Sequence, residues 1–293
     1  MKKILIIINP KAGKKEGSRN LADIIDVFCR KGYRVAVETT AARGDGTEIA
    51  KREAGNFDIL VAIGGDGTFN EVVEGVLLSG KDVPIGYIPA GSTNDFGASL
   101  GIPSDMVKAA ENITEEKPRI IDIGSFNGRY FSYVASFGAF TRASYEAPQS
   151  IKNALGHLAY ILEGIKDIPS IRAEKLTFRT TEKEYSGKYL FGAVSNSTSI
   201  GGILTLPEDE VDMGDGKFEV LLVKAPANLI ELNQIMLAVT TRDFKSPHLE
   251  FFSASELRVE ADPEMPWTLD GEYQAGSSEI HIENVHNAAK ILL

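Results

Sequence analysis

The chain of 293 residues is longer than a typical single α/β domain, and its length predicts about two domains. Its 43% hydrophobic and 25% charged residues are an ordinary globular balance, which excludes a disordered, collagenous or coiled-coil chain. A formal net charge of −10 argues against a nucleic-acid binder. The single cysteine, Cys29, cannot form an intrachain disulfide and is too few for a zinc site, which fits a reducing cytoplasm. The apolar run Ile4–Ile8 is far shorter than the ~20 residues of a membrane span, so we expect a chain that does not cross a membrane.

Strand and helix signals alternate over the first third of the chain. Continuous apolar runs predict buried strands at 4–8 and 59–63. The alternation of Val35 and Val37 predicts a strand at 33–39, and a fourth strand is predicted at 84–88. Apolar residues at helical spacing predict helices around 21–28, 47–54 and 69–78. This order predicts a parallel, doubly wound α/β sheet, in which ligands bind beyond the carboxyl ends of the strands. The loops at 9–13, 64–67 and 89–92 follow three of these strands, so we expect them to converge at one edge of the sheet.

The pattern changes after residue 117 and becomes rich in strands. Strands are predicted at 119–126, 130–137, 175–180, 185–195, 217–223, 256–261 and 279–283, and helices at 151–165 and 229–239. Few crossover helices separate these strands, which favours an antiparallel sandwich or barrel. We therefore predict an α/β domain at 1–117 and a β-rich domain at 118–293.

A glycine-rich segment, Gly64-Gly65-Asp66-Gly67-Thr68, connects the third strand to a helix. Glycines there let backbone amides approach an anion, and a helix N-terminus adds a favourable dipole. Asp66 would repel a phosphate, unless it holds Mg²⁺. The alternative is a plain turn with a capping box formed by Thr68 and Glu71. We expect that box to form, and we favour phosphate binding because a cap needs neither the second glycine nor Asp66.

Four segments of the sequence are characteristic when taken together. They are Asn-Pro-Lys-Ala-Gly-Lys at 9–14, Gly-Gly-Asp-Gly-Thr-Phe-Asn-Glu-Val at 64–72, Ile-Pro-Ala-Gly-Ser-Thr-Asn-Asp-Phe at 88–96 and Leu-Asp-Gly-Glu at 269–272. In this order they resemble the diacylglycerol kinase catalytic-domain family, which includes soluble bacterial lipid kinases and the sphingosine and ceramide kinases. The segments at 144–148 and 155–160 are also similar to bacterial members. The resemblance implies an ATP-dependent lipid kinase with an NAD kinase/diacylglycerol kinase-like α/β domain, a β-sandwich second domain and an active site in the cleft between them. The acceptor it implies is diacylglycerol, with phosphatidic acid as product.

The resemblance also implies where ATP binds. The implied contacts are Asn9, Pro10, Lys11, Ala12, Gly13, Lys14, Thr40, Gly64, Gly65, Asp66, Gly67, Thr68, Phe69, Asn70 and Ser92. A lysine such as Lys14 is otherwise an ordinary solvated surface residue. Ser92 stands where the family more often has threonine, and it keeps the hydroxyl that can bond a phosphate.

Two Mg²⁺ sites are implied in the same way. Asp66, Asp95 and Asp122 resemble a set that holds Mg²⁺ through bridging waters. Alternatively, Asp95 caps a helix and Asp122 is a solvent-facing strand residue. A structural Mg²⁺ would take the Asp215 carboxylate and the main-chain carbonyls of Asp212 and Lys217, where the alternative is a plain Asp-Gly hairpin turn.

The turn Asp270-Gly271-Glu272 resembles the catalytic turn of the family. Phosphoryl transfer to an alcohol needs a carboxylate that accepts the hydroxyl proton. The resemblance makes Glu272 the general base, and Asp270 its orienting or alternate partner. Trp267, just before this turn, is either a core residue or a lipid contact, and we favour the core.

The expected partner is a lipid at the membrane surface, with no nucleic acid and no membrane span, and the resemblance suggests a homodimer. Two other functions remain open. One is an NAD kinase, which shares Gly-Gly-Asp-Gly-Thr. The other is a catalytically silent lipid- or nucleotide-binding regulator of the same fold. No motif identifies the acceptor lipid.

Overall fold

A computed structural model describes residues 1–13, 15–92, 94–138, 173–197, 199–200, 204–205 and 212–293. The described chain divides into two compact units. The first contains Met1–Asp122 and Asn287–Leu293, and the second contains Ile123–His286. The predicted helix at 151–165, the segments at 144–148 and 155–160, and Lys14 lie outside the described residues.

The first unit alternates strands and helices, as its sequence pattern predicts. Its strands are β1 Lys3–Ile8, β2 Arg34–Thr39, β3 Ile59–Gly64 and β4 Ile85–Pro89. Its helices are α1 Glu16–Arg30, α2 Asp45–Glu53, α3 Asp66–Ser79, α4 Asp95–Ser99 and α5 Met106–Ile113.

The strands of this unit form a parallel sheet in the order β2-β1-β3-β4. A further strand, β17, spans Glu279–Leu292, and its last residues pair in parallel with β4 through Ile291 and Leu292. The predicted end of this strand at 283 is therefore wrong. The strand continues because the apolar residues at its end are buried in the first unit.

Helices cover both faces of the sheet, so its central strands are buried throughout. All of β3 and all but the first residue of β1 are buried, as expected for parallel strands that helices cover on both sides. Helix α1 packs against α5, and α2 packs against α3. Ile24 and Phe28 of α1 are fully buried, which explains the helical spacing of its apolar residues.

Two strands carry the chain between the units, β17 and β5, which spans Pro118–Phe126. The other elements of the second unit are mostly strands. They are β6 Arg129–Phe131, β7 Val134–Gly138, β8 Glu174–Arg179, β9 Glu184–Ser195, β10 Ser199–Ile200, β11 Leu204–Thr205, β12 Phe218–Lys224, β13 Leu249–Ala254, β14 Glu256–Glu260, β15 Trp267–Leu269, β16 Glu272–Gln274 and the helix α6 Leu229–Thr241.

The pairings within the second unit are antiparallel, which confirms the predicted arrangement. Strands β16, β15, β7, β9, β8 and β14 follow one another, and β12 lies between β9 and β13. Aromatic side chains fill the core. Trp267 is fully buried, with its ring centroid 5.2 Å from that of Phe126 and 4.9 Å from that of Phe137. This confirms the interpretation of Trp267 as a core residue.

One predicted strand is wrong in a way that matters for the site. The run at 130–137 is two strands, β6 and β7, with a break at Ser132 and Tyr133. The amides of these two residues bond the Asp270 carboxylate instead of a neighbouring strand. The break is therefore imposed by a residue far along the chain.

Candidate active site

Three loops of the first unit meet at the carboxyl edge of the parallel sheet. A Cβ added to Gly13 would lie 2.5 Å from the carbonyl oxygen of Ala90, and one added to Gly91 would lie 2.5 Å from the Cα of Gly65. Such distances leave no space for a side chain, so the loops after β1, β3 and β4 contact one another through their backbones. The predicted convergence of these loops is present.

The first loop is tied to the start of α3 by Asn9. Its side-chain amide donates to the hydroxyl of Thr68 at 3.4 Å, while its Oδ1 accepts from the Lys11 amide at 3.0 Å. The buried Thr40 lies beside this loop, because its amide donates to the carbonyl of Ile8 at the end of β1. The residues implied for ATP in these two loops are thus neighbours in space.

The N-cap residue of α3 is Gly65, which has no side chain to cap the helix. The predicted capping box is wrong, because the Glu71 carboxylate accepts hydrogen bonds from the amides of Gly44 at 2.8 Å and Gly46 at 3.0 Å. Glu71 thereby holds the start of α2. An N-terminus of α3 without a side-chain cap is the arrangement that anion binding by a helix requires.

Asp66 is the first residue of α3, and its carboxylate lies close to Asp95. Its Oδ2 accepts from the Asp95 amide at 2.9 Å, and its Oδ1 accepts from the Tyr87 hydroxyl at 3.2 Å. Burial, together with the nearby Asp95 charge, raises the pKa of Asp66 to about 6, although these hydrogen bonds lower it. A buried carboxylate with a raised pKa, placed beside a second acidic side chain, favours a bound cation.

The alternatives considered for Asp95 and Asp122 differ from what is observed. Asp95 is the first residue of α4, and the N-cap is Asn94. Asp122 is fully buried rather than solvent-facing, and its Oδ1 accepts from the Asn287 amide at 2.7 Å. Within the described ranges, no group of three or more His, Cys, Asp or Glu side chains could hold a metal ion. The structure therefore brings Asp66 and Asp95 together, and the role of Asp122 in metal binding stays a prediction.

The acidic turn at 212–217, in the second unit, is organised by its own carboxylates. The Asp212 Oδ1 accepts from the Gly214 amide at 3.0 Å, and the Asp215 Oδ1 accepts from the Lys217 amide at 2.9 Å. The side-chain amide of Asn284 donates to the Lys217 carbonyl at 3.1 Å. These bonds fit either the plain turn or a turn that presents oxygens to a cation.

Asp270 is a buried anchor for the turn that precedes Glu272. Its Oδ2 accepts from the Ser132 amide at 2.6 Å, and its Oδ1 accepts from the amides of Tyr133 and Val134, both at 3.0 Å. The residue is only 7% exposed and adopts a left-handed conformation, with φ of 51°. Because both carboxylate oxygens bond backbone amides, Asp270 is poorly suited to accept a substrate proton.

Glu272 begins β16 and has a side chain that is 36% exposed. Its Oε2 accepts from the Arg129 Nη2 at 3.0 Å, and Arg129 also donates to the Tyr273 carbonyl at 3.1 Å and the Gln274 Oε1 at 2.8 Å. Arg129 was not among the predicted site residues. The available signal was weak: the Asn127-Gly128 turn predicts a hairpin, but not that the next residue contacts β16.

We expect Asp270→Ala to destabilise the second unit strongly. The substitution leaves three buried backbone amides without their acceptor, and an unsatisfied buried donor costs about 1–3 kcal/mol. Alanine also disfavours the left-handed conformation. Asp270→Ala should unfold at a clearly lower temperature than the wild type. Glu272→Ala removes only a half-exposed ion pair, so it should lower the free energy of unfolding by at most about 1 kcal/mol. Equal midpoints for the two variants would contradict the anchoring role.

Both halves of the chain match models of known protein families. Residues 3–126 match the model of the diacylglycerol kinase catalytic domain, and residues 134–292 match that of the YegS C-terminal NAD kinase beta sandwich-like domain. A diacylglycerol kinase of Bacillus subtilis (strain 168) is 36% identical over 276 residues, which cover 93% of this chain and 90% of that protein. The chain belongs to the diacylglycerol kinase family.

Other members agree with this placement. A diacylglycerol kinase of Staphylococcus haemolyticus is 35% identical, with 92% of this chain and 81% of that protein covered. A crystal structure of a diacylglycerol kinase from Bacillus anthracis shares the fold, with a TM-score of 0.78 at 21% identity and coverage of 99% and 96%. The protein is an ATP-dependent lipid kinase, a transferase of this family. In the part of the chain that the structure describes, no helix is long and apolar enough to span a membrane.

Proposed function

We propose that the protein transfers the γ-phosphate of ATP to the free hydroxyl of diacylglycerol and releases phosphatidic acid and ADP. The observation that carries this proposal is the turn at 270–272. Asp270 is held by three backbone amides, which leaves the half-exposed Glu272 as the carboxylate available to an acceptor. The relatives that share this chain at 34–36% identity are named diacylglycerol kinases, which supports the acceptor class.

In this mechanism Glu272 accepts the proton of the acceptor hydroxyl, while the oxygen of that hydroxyl forms a bond to the γ-phosphorus of ATP. The bond between that phosphorus and the oxygen bridging to the β-phosphate breaks, and ADP leaves with the electron pair. Arg129 holds the Glu272 carboxylate through its Nη2. In the first unit, the backbone amides at 64–67 and the start of α3 would bind the phosphates of ATP.

Mg²⁺ would be held in the first unit by Asp66 and Asp95. The fit rests on the proximity of the two side chains and on the raised pKa of Asp66, because a buried carboxylate beside another needs either a proton or a cation. When bound, the ion would neutralise the charge of the phosphate oxygens. Lys11 and Ser92 are proposed as further phosphate contacts. Lys14 lies outside the described residues.

A second Mg²⁺ is proposed at the turn 212–217, with the Asp215 carboxylate and the carbonyls of Asp212 and Lys217 as ligands. We expect Mg²⁺ to raise the thermal midpoint of the wild-type protein, because a ligand that binds the folded state stabilises it by mass action. Asp215→Ala should lower the midpoint and remove that response. An unchanged Mg²⁺ response in Asp215→Ala would favour the plain-turn interpretation.

We further propose that the enzyme works in the cytoplasm as a homodimer and visits the membrane surface to reach its lipid. A net charge of −10 disfavours long-range attraction to anionic lipid. Contact would then depend on a local basic patch such as Lys11, Lys15 and Arg19, all of which are exposed.

Transfer of γ-labelled phosphate from ATP to a mixture of lipids, with NAD offered in parallel, tests the proposed function. We expect label in phosphatidic acid. Label in NADP would support the NAD kinase alternative, and label in a different phospholipid would change the acceptor. No label in any acceptor would support a catalytically silent regulator. A mock purification from cells that lack the protein, assayed in parallel, identifies phosphorylation by a contaminating kinase.

A further inference from the structure

A buried tyrosine hydroxyl lies beside Asp66 and has no role in the function proposed above. Tyr87 belongs to β4 and is fully buried. Its hydroxyl oxygen lies 3.2 Å from the Oδ1 of Asp66, 3.4 Å from the Gly64 carbonyl oxygen and 3.5 Å from the Oδ1 of Asn94. These three acceptors belong to the start of α3, the end of β3 and the loop after β4. The hydroxyl therefore lies where the two glycine-containing loops meet.

This hydroxyl has a single proton to donate, and the Asp66 carboxylate is its best acceptor. The Gly64 carbonyl already accepts from the Ala90 amide at 2.7 Å, and the Asn94 Oδ1 already accepts from the Gly91 amide at 2.9 Å. The Asp66 Oδ1 is the nearest of the three acceptors, and a carboxylate forms a stronger hydrogen bond than a neutral carbonyl. The contact with Asp66 is therefore the one that uses the proton.

Packing from two helices fixes the ring that carries this hydroxyl. The ring centroid of Tyr87 lies 4.7 Å from that of Phe69 in α3. On the side of α4, a Cβ added to Gly97 would lie 3.1 Å from the Cε1 of Tyr87, so a side chain there would press on the ring. A phenylalanine at position 87 would make the same ring contacts. The packing therefore does not need the hydroxyl, but it holds the hydroxyl at a defined place.

We propose that Tyr87 is a positioning residue, which orients the Asp66 carboxylate for Mg²⁺. The last torsion of an aspartate side chain is soft, so a carboxylate turns easily unless both oxygens are held. The Asp95 amide holds Oδ2 of Asp66, and the Tyr87 hydroxyl holds Oδ1. Hydrogen-bond partners of this kind fix the orientation of metal ligands. The inference rests on the Mg²⁺ site proposed at Asp66 and Asp95.

Calorimetric binding of ATP by the wild type and by Tyr87→Phe, without lipid, tests the proposal. The variant keeps the ring and removes only the hydroxyl. With Mg²⁺ in excess, we expect the variant to bind ATP roughly tenfold more weakly, a usual cost of losing the partner of a metal ligand. With EDTA in place of Mg²⁺, the two proteins should bind ATP equally, because the hydroxyl acts through the metal ligand. A hydroxyl that only shapes the loops would change ATP binding in both conditions.

Tyr33→Phe is the matched control. The Tyr33 hydroxyl also donates to a carboxylate, that of Glu116, but Tyr33 precedes β2 and so lies at the amino edge of the same sheet. This variant should bind ATP like the wild type in both conditions. A double variant tests whether Tyr87 acts through Asp66, since residues in contact are coupled. Adding Tyr87→Phe to Asp66→Asn should cause no further loss of ATP binding in Mg²⁺. Thermal unfolding shows whether each variant is folded.

The outcomes separate this inference from the function on which it rests. Weaker binding of ATP in Mg²⁺ by Asp66→Asn, with wild-type binding by Tyr87→Phe, would overturn the inference alone. Equal losses for Tyr87→Phe with and without Mg²⁺ would give the hydroxyl a structural role and overturn the inference, as would a Tyr87→Phe variant that does not fold. Wild-type binding of ATP in Mg²⁺ by Asp66→Asn would overturn the Mg²⁺ site proposed at Asp66, and the inference with it.

Discussion

Replacing Asp66 with alanine should abolish phosphoryl transfer while the protein stays folded. Asp66 lies at the uncapped start of α3, beside Asp95 and the backbone of two glycine-containing loops. In the proposed mechanism it holds the Mg²⁺ that neutralises the phosphates, so its loss removes stabilisation that the transition state needs most. We expect kcat/KM to fall by more than ~10³-fold, which corresponds to about 4 kcal/mol. Steady-state kinetics measure the loss of activity, and circular dichroism with thermal unfolding tests whether the variant is folded.

The pH dependence of stability provides a second readout for the same residue. The pKa of Asp66 is raised from its ordinary value of 3.8 to about 6 in the folded protein. Its bound proton therefore stabilises the folded state fully below pH ~4, and this stabilisation is lost as the pH rises through about 6. Above pH 6, without nucleotide and Mg²⁺, Asp66→Asn should unfold at a higher temperature than the wild type. A gain of about 1 kcal/mol in the free energy of unfolding corresponds to a rise of a few degrees in the thermal midpoint.

These two readouts distinguish a functional residue from a structural one. A variant that is inactive and at least as stable as wild type places Asp66 in the metal and phosphate site. An Asp66→Ala enzyme with normal activity would remove the glycine-rich loop from the mechanism. A variant that is inactive because it does not fold would show that the residue serves the core, and Asp66→Asn would then decide between the two.

The sequence predicts the first unit well because its determinants are local. Buried strands such as β3 are continuous apolar runs, and the glycines that follow them mark the ends of the strands. Parallel order then forces the loops to one edge of the sheet. The convergence seen at Gly13, Gly65 and Gly91 follows from that rule without knowledge of any contact.

Contacts between distant residues account for the errors. Thr68 and Glu71 have the local pattern of a capping box. Glu71 instead bonds the amides of Gly44 and Gly46, which lie 27 and 25 residues earlier in the chain. The environment of Asp122 has the same kind of cause, because its partner amide belongs to Asn287 in the last strand. A periodic pattern shows whether a residue alternates with apolar neighbours, but it does not show what covers the other face of the sheet.

The turn at 270–272 also shows what the sequence alone does not reveal. Its sequence places two carboxylates on either side of Gly271 and does not distinguish their roles. The distinction comes from backbone amides at 132–134, which bond Asp270 alone, and from Arg129, which pairs with Glu272. Both sets of contacts join residues that are far apart in the chain.

Glu272→Gln should lower kcat by about 10²–10⁴-fold, the usual contribution of a general base. Glutamine keeps the size of the side chain and an oxygen that can accept from Arg129, but its amide oxygen is far too weak a base to take the acceptor proton. The affinity for ATP should change little, because the proposed role of Glu272 concerns the acceptor hydroxyl. Initial rates on vesicles and on dispersed short-chain diacylglycerol, together with ATP binding measured without lipid, test these expectations.

The choice of two lipid forms separates chemistry from access to the membrane. A base acts on every acceptor molecule, so the loss in kcat should be equally large for vesicles and for dispersed substrate. A loss confined to vesicles would instead make Glu272 a contact with the membrane surface. Arg129→Lys is the matched control, because it keeps a cation beside Glu272 but not the fork that also bonds Tyr273 and Gln274. That variant should retain more activity than Glu272→Gln. Full activity of Glu272→Gln on either substrate would show that another group is the base. Since both oxygens of Asp270 are bonded to buried amides, that group would have to lie outside this turn.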